Sequence, residues 1–376
     1  MNILITGGAG FIGSRLALRL VERGHDVTVL DTLSPQIHGE NAKESPLFLA
    51  LADKVRFVQG SVTDRVVMEE VLRGQAAVVH LAAETGTGQS MYQIERYNSV
   101  NIGGTALMLD ILANSDHSVK RVVVASSRSI YGEGRYRSAE LGHVYPGARA
   151  AEDMAAGDFE VKYPGASSPL ELVATDEESK IHPSSVYGIT KQVQEQLVMT
   201  VCPSIGVEGV AFRYQNVFGP GQSLSNPYTG ILSIFSNLMM QGKPINIFED
   251  GTESRDFVFV DDVVEATVLG VEHPAAANQV FNVGTGVPVS VMTVAETLKR
   301  LIGADVPITV TGNFRIGDIR HNYADMTRIE ALLGFRPAYD FERGIAKFVE
   351  WARAMGARSS AYEASLDEMR AKGLLK

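Results

Sequence analysis

Asn2-Ile3-Leu4-Ile5-Thr6-Gly7-Gly8-Ala9-Gly10-Phe11-Ile12-Gly13 is a short apolar run broken by glycines, and a helix-like stretch from Ile12 to Arg23 follows it. An apolar run this short, bounded by glycines, reads as a strand buried on both faces of a parallel sheet. Gly7, Gly10 and Gly13 satisfy G-x-x-G-x-x-G, and Gly8, Gly10 and Gly13 satisfy G-x-G-x-x-G. Glycines by themselves mark only turns. Between a strand and a helix they allow the tight turn and the close approach of backbone to a pyrophosphate, with the first N–H groups of the helix facing the phosphates. That context points to dinucleotide binding, and Phe11 and Ile12 are expected to line the same site.

Strand-like runs recur outward from this unit at Asp26–Leu30, Val55–Gln59, Ala76–Ala82, Arg121–Ser126 and Val207–Arg213, with helix-like stretches between most of them. Strands alternating with helices predict an α/β fold, a Rossmann-type doubly wound parallel sheet with a smaller α/β substrate-binding lobe. Asp31 ends the second run, where a carboxylate can accept hydrogen bonds from an adenosine ribose; no Lys or Arg follows it, which favours NAD over NADP. Residues 1–183, about 184–216 and 256–290 are assigned to the nucleotide-binding domain. Within it, 133–182 loses periodicity and is expected to be a lid or substrate-covering insertion. About 217–255 and 291–340 form the smaller lobe, and 341–376 a helical tail.

Across 376 residues, 34 Lys and Arg against 44 Asp and Glu leave a net charge of −10, with no basic run that could form a nucleic-acid surface. An anionic ligand must therefore be held by local geometry. The single cysteine, Cys202, excludes an internal disulfide framework and fits a reducing, cytoplasmic setting. No secretory pattern and no apolar stretch long enough for a membrane span is present. His143, His182 and His321 have no partners at ligand spacing, so no metal is expected. His80, on an apolar strand, reads as a buried, hydrogen-bonded core residue. Asp261 and Asp262 read as caps of a helix N-terminus.

Ser184-Ser185-Val186-Tyr187-Gly188-Ile189-Thr190-Lys191 places Tyr187 and Lys191 on one face of a helix. A phenol beside an ammonium and an oxidised nicotinamide becomes a usable base near neutral pH. A Tyr-x-x-x-Lys spacing is common on solvated surfaces. Ser126-Ser127, closing the fifth strand before Ile130-Tyr131-Gly132, changes that reading, because a hydroxyl at the carboxyl end of a strand lies in the ligand crevice of such sheets.

Together, the glycine turn, His80-Leu81-Ala82-Ala83, Ser126-Ser127 before Tyr131-Gly132, and Tyr187-x-x-x-Lys191 resemble the extended short-chain dehydrogenase/reductases, the NAD-dependent nucleotide-sugar epimerase/dehydratase family. The likeness runs from residue 2 to about residue 340, interrupted at 133–182. It implies Ser127 as the active-site hydroxyl, Tyr187 as the base and Lys191 as the holder of the nicotinamide ribose. It also implies that Leu81, Ala82 and Ala83 line the cofactor, with Asn101 in a structural role beside them. Ser61 departs from the aspartate that relatives commonly present to adenine, so Ser61 and the Val62 backbone are expected there instead. On the substrate side the resemblance implies Asn216 near the phosphates, Phe248 against the base, and Arg255 and Arg315 on the pyrophosphate, the latter suited to a bidentate grip. A homodimer is implied as well.

Dehydratases and decarboxylases of this family usually follow the hydroxyl with an acidic residue. Here Arg128 and Ser129 follow it, which points to 4-epimerisation through a 4-keto intermediate. The polar loop Glu84–Ser90 is expected to face the substrate, so that Glu84 and Thr85, together with Ser127 and Arg128, are expected to bind it; Glu84 could also supply an acid and keeps a 4,6-dehydratase open, and a 4-ketoreductase would use the same Ser, Tyr and Lys. That loop and Asn226–Ile231 most resemble the 4-epimerases of dTDP-L-rhamnose.

Overall fold

The computed structural model describes all residues except Thr229 and 359–361. Seven parallel strands form the central sheet, in the spatial order Gln279–Val283, Glu208–Tyr214, Arg121–Ser127, Ala77–His80, Asn2–Thr6, Asp26–Asp31 and Arg56–Gln59. The chain runs outward from Asn2–Thr6 in one direction and then returns to its other side. The strand order thus reverses beside the glycine turn, where open α/β sheets bind ligands.

Each face of the sheet is covered, which explains the unbroken apolar strands. Leu16, Ala17 and Leu20 of the Phe11–Glu22 helix and Val263, Val264 and Val268 of the Val260–Glu272 helix bury one face. Met68, Val71, Met108, Leu112 and Val198, from three further helices, bury the other.

The smaller lobe has its own sheet, built from Asn216–Phe218, Ser254–Phe259, Pro288–Ser290 and His321–Asn322, over an aromatic core of Phe218, Phe257, Phe259 and Phe348. Ser254–Phe259 lies wholly in this sheet rather than dividing at 256. Phe348 comes from the Phe341–Met355 helix, whose Ile345, Phe348, Val349 and Ala352 are buried at helical spacing. The first half of the expected tail is therefore part of the lobe.

Within 133–182 the chain forms a three-stranded antiparallel sheet, Gly142–Val144, Tyr136–Ser138 and Glu171–Leu172, around Tyr136, Val144 and Val161. Strands of two or three residues are too short to leave a periodic signal. The segment packs against the smaller lobe through Arg149 to Glu249 at 2.7 Å and Glu160 to Arg320 at 2.8 Å. The helix before Arg121–Ser127 begins as a π-helical turn, Asn98–Gly103, and becomes α-helical at Gly104–Asn114.

Candidate active site

A cleft of about 460 Å³ runs along the carboxyl ends of the central strands. At one end lies the glycine turn. Gly7 has φ +69°, and a Cβ there would stand 2.7 Å from the Ala82 nitrogen, so only glycine lets the turn lie this close to the Leu81–Ala82 backbone. Asp31 braces this turn, accepting from the Ala9 N–H at 3.0 Å and the Leu33 N–H at 2.9 Å while lining the cleft. Gly10, Phe11, Ile12 and Gly13 line it too, as do Ser61, Val62, Leu81, Ala82, Ala83, Glu84 and Thr85.

Ser127, Tyr187 and Lys191 meet further along. Ser127 Oγ accepts from the Ser129 N–H at 3.2 Å and the Ser129 hydroxyl at 3.0 Å. With these two donors on Ser127 Oγ, its own proton is left for a partner in the cleft, which Tyr187 also lines. Ser185 caps the Val186–Ser204 helix through the Gly188 N–H at 3.1 Å, and Ser90 accepts from the Tyr187 N–H at 3.0 Å, which sets the height of the phenol. Lys191 Nζ donates to the Ala125 carbonyl at 2.9 Å and lies 6.0 Å from the centre of the Tyr187 ring.

Burial raises the Tyr187 pKa, opposed by the Ser127 hydrogen bond and the Arg128 charge. Burial also lowers Lys191 to about 7. Arg128 adds a second positive charge near the phenol, besides the Lys191 of the sequence reading. Arg128 donates from Nε to Asn216 at 3.0 Å, and burial, followed by the neighbouring Arg255 charge, lowers it to about 9.

Six of the sequence-derived residues do not line this cleft: Asn101, Arg128, Asn216, Phe248, Arg255 and Arg315. Asn101 is fully buried behind it. It accepts from the Glu84 N–H at 2.7 Å and donates to the Glu84 carbonyl at 3.1 Å and to Thr190 at 2.9 Å, clamping the loop to the Tyr187 helix rather than facing the cleft. Arg255 donates to the carbonyls of Ser254 at 2.8 Å, Arg320 at 2.9 Å and Ile319 at 2.6 Å, so both its terminal nitrogens are already engaged. The Arg315 guanidinium lies 4.9 Å over the Phe248 ring. Glu84 pairs with Arg96 at 2.8 Å. Asp261 and Asp262 occupy the first turn of their helix rather than its cap: Asp261 pairs with Arg15 at 2.9 Å, and Asp262 accepts from the Ala338 and Tyr339 N–H groups.

Gln215 and Tyr228, not singled out within the stretches read as substrate-side, line the cleft beyond Ser127, as does Gln222, which the sequence reading missed. The stretch Asn226–Ile231 contributes Asn226, Tyr228 and Gly230 to that wall, and Thr229 lies outside the described residues. Also missed was Arg320, fully buried and bonded to Glu249, Asp250, Glu160 and Thr252. An isolated arginine in a charged loop carries no signal of such burial.

The family model described as the NAD dependent epimerase/dehydratase family matches residues 3–150 and 161–284. The chain belongs to that family. It is 37% identical to a dTDP-L-rhamnose 4-epimerase of Burkholderia thailandensis over 352 residues, covering 93% of this chain and 94% of that protein. Among solved structures it resembles UDP-glucose 4-epimerase of Thermotoga maritima with UDP-glucose, at TM-score 0.75 and 30% identity, covering 94% and 99% of the two chains. It also resembles MoeE5 in complex with UDP-glucuronic acid and NAD, at TM-score 0.73 and 28% identity, over 94% and 100%. NAD is this family's cofactor, and the bare glycine turn, Asp31 and the Tyr187-Lys191 pair fit it.

Proposed function

We propose that this chain is an NAD-dependent nucleotide-sugar 4-epimerase. The observation that carries the reading is the meeting of Ser127, Tyr187 and Lys191 in one cleft, with Arg128, not an acid, following Ser127. Gly7, Gly10, Phe11, Ile12, Gly13, Asp31, Ser61, Val62 and Leu81–Ala83 would hold the cofactor, with Lys191 on the nicotinamide ribose. Bound NAD supplies the hydride acceptor and, on return, the hydride donor.

Tyr187, as the phenolate, takes the proton of the sugar 4-hydroxyl, and Ser127, donating to the Tyr187 oxygen, stabilises that phenolate before the transfer. Arg128 compensates the charge, and the buried floor excludes water from the oxidised sugar. Rotation of that sugar before the hydride returns gives inversion at C4. Thr85, Asn216, Phe248 and Arg315 are assigned to the substrate, with Arg255 holding the loop 319–320 on which that side is built. Glu84, paired with Arg96, is not free to serve as the acid of a dehydration. The 37% identity to a dTDP-L-rhamnose 4-epimerase supports dTDP-L-rhamnose as the substrate to try first.

The same reading takes the central sheet as the cofactor domain and residues 216–259 with 285–355 as the substrate lobe. Two copies pair through the helices that begin near Asn98 and Val186, and the free, buried Cys202 accords with a cytoplasmic enzyme.

A proton-NMR time course with dTDP- and UDP-hexoses, and no added cofactor, tests the function. Inversion at C4 at constant mass is expected; a 4-keto-6-deoxy product would replace it with dehydration. Tyr187→Phe is expected to keep the fold and its NAD while turnover falls by about two to four orders of magnitude. Unchanged turnover would remove Tyr187 from the chemistry.

A further inference from the structure

Gln215 follows Tyr214, the residue that faces Ser127 across the sheet, and its N–H continues the ladder by donating to the Val283 carbonyl at 2.9 Å. Gln215 is among the residues that line the cleft and is only 4% exposed, yet neither Oε1 nor Nε2 of its buried side chain has a hydrogen-bond partner among the described residues. Gly284 makes room for it: a Cβ at that position would stand 2.8 Å from the Gln215 Cγ. A buried amide with both donor and acceptor unpaired costs stability that an apolar residue of the same shape would not. The site is thus built to receive a group that offers one acceptor and one donor together.

Position along the sheet says which group. Asp31 and Ser61 sit at the ends of the strands Asp26–Asp31 and Arg56–Gln59, the glycine turn follows Asn2–Thr6, Leu81 follows Ala77–His80, and Ser127 closes Arg121–Ser127. In this fold the adenosine ribose lies at the acidic end and the pyrophosphate at the glycine turn. The other nucleoside therefore extends past Ser127 to the next strand end, where Gln215 stands. We infer that Gln215 receives the carboxamide of the nicotinamide through a pair of amide hydrogen bonds and so fixes which face of the ring meets the substrate. This rests on the cofactor reading above.

The test exchanges the NAD of the purified full-length chain for isotopically labelled NAD and displaces it with ADP-ribose, which lacks the nicotinamide ring. In Gln215→Leu the ADP-ribose needed to displace half of the label is expected to fall at least about tenfold, the loss of two buried hydrogen bonds. ADP-ribose alone is expected to raise the melting temperature of both proteins equally. Gln215→Glu, which loses the donor, is expected to fall between them, and Gln215→Met carries the same expectation as Leu should Leu not fold. Unchanged displacement together with a raised KM for the nucleotide sugar would assign Gln215 to the sugar and overturn the inference alone. A parental chain that retains no labelled NAD would overturn the cofactor reading and the inference with it.

Discussion

His80 shows how much a single side chain can hold beneath the cleft. It accepts or donates at Thr6 Oγ1, 2.8 Å from Nδ1, and at Thr105 Oγ1, 2.9 Å from Nε2, and so ties the first strand to the helix behind Asn101. The structure bears out the reading of it as a buried core residue. Burial, with the Lys191 charge second, lowers its pKa from 6.5 to about 3. The unfolded chain takes a proton near 6.5 and the folded one does not, so this contribution to stability is complete above that pH. It is lost as pH falls towards 3, by up to about 1.4 kcal/mol per pH unit. A flatter decline of melting temperature between pH 6.5 and 4 in His80→Gln, below the parental value at neutral pH, is the expected result; an unchanged slope would assign the acid sensitivity elsewhere. Arg128 and Gln215 lie at the opposite extreme of legibility. Their types are plain in the sequence, but what faces them is decided by residues 88 and 69 positions away respectively, Asn216 and Gly284.

Among the elements, the Tyr362–Ala371 helix and the residues after it have the most to say about the substrate side. The Phe314 N–H donates to the Lys376 carbonyl at 2.9 Å, the Lys376 N–H returns to Phe314 at 3.0 Å, and the Ile316 N–H reaches Leu374 at 3.0 Å. Arg315 thereby stands on a two-stranded pairing with the tail. Glu368 accepts from Tyr92 at 3.2 Å and Tyr228 at 3.4 Å, tying the tail to the Tyr228 wall of the cleft. A chain ending at residue 358 is expected to keep its NAD and its kcat while KM for the nucleotide sugar rises about tenfold, since only uniform binding is removed. Steady-state kinetics decide it: a fall in kcat at constant KM would place the tail in the chemistry instead. The π-helical turn at Asn98–Gly103 is a smaller case of the same kind, for its extra residue carries Asn101 to the Glu84 loop.

At the scale of the molecule, the surface beside the reactive helix bears on assembly. Ile189 and Ile94 are large apolar side chains left 47% and 52% exposed, and Val193 and Leu197 continue the Ile189 face at helical spacing. Sedimentation equilibrium is expected to return twice the chain mass for the parental protein and the single mass for Ile189→Glu with Val193→Glu. A monomeric parental chain would remove the dimer from the proposed function.

What the sequence determined by itself was the local and the periodic. A strand buried on both faces must be continuously apolar, a pyrophosphate turn must be glycine, and a Tyr and Lys four apart must share a helix face. The sheet, Asp31 and the meeting of Ser127 with Tyr187 and Lys191 were therefore legible. Only the tertiary structure decided the pairings between distant segments. Arg255 is engaged by the carbonyls of 319 and 320, Arg320 is sealed among four oxygen-bearing side chains, and the three short strands of 133–182 find one another across loops. A buried ion or amide takes its meaning from whichever partners desolvation leaves it, and those partners are set by the packing of the whole chain.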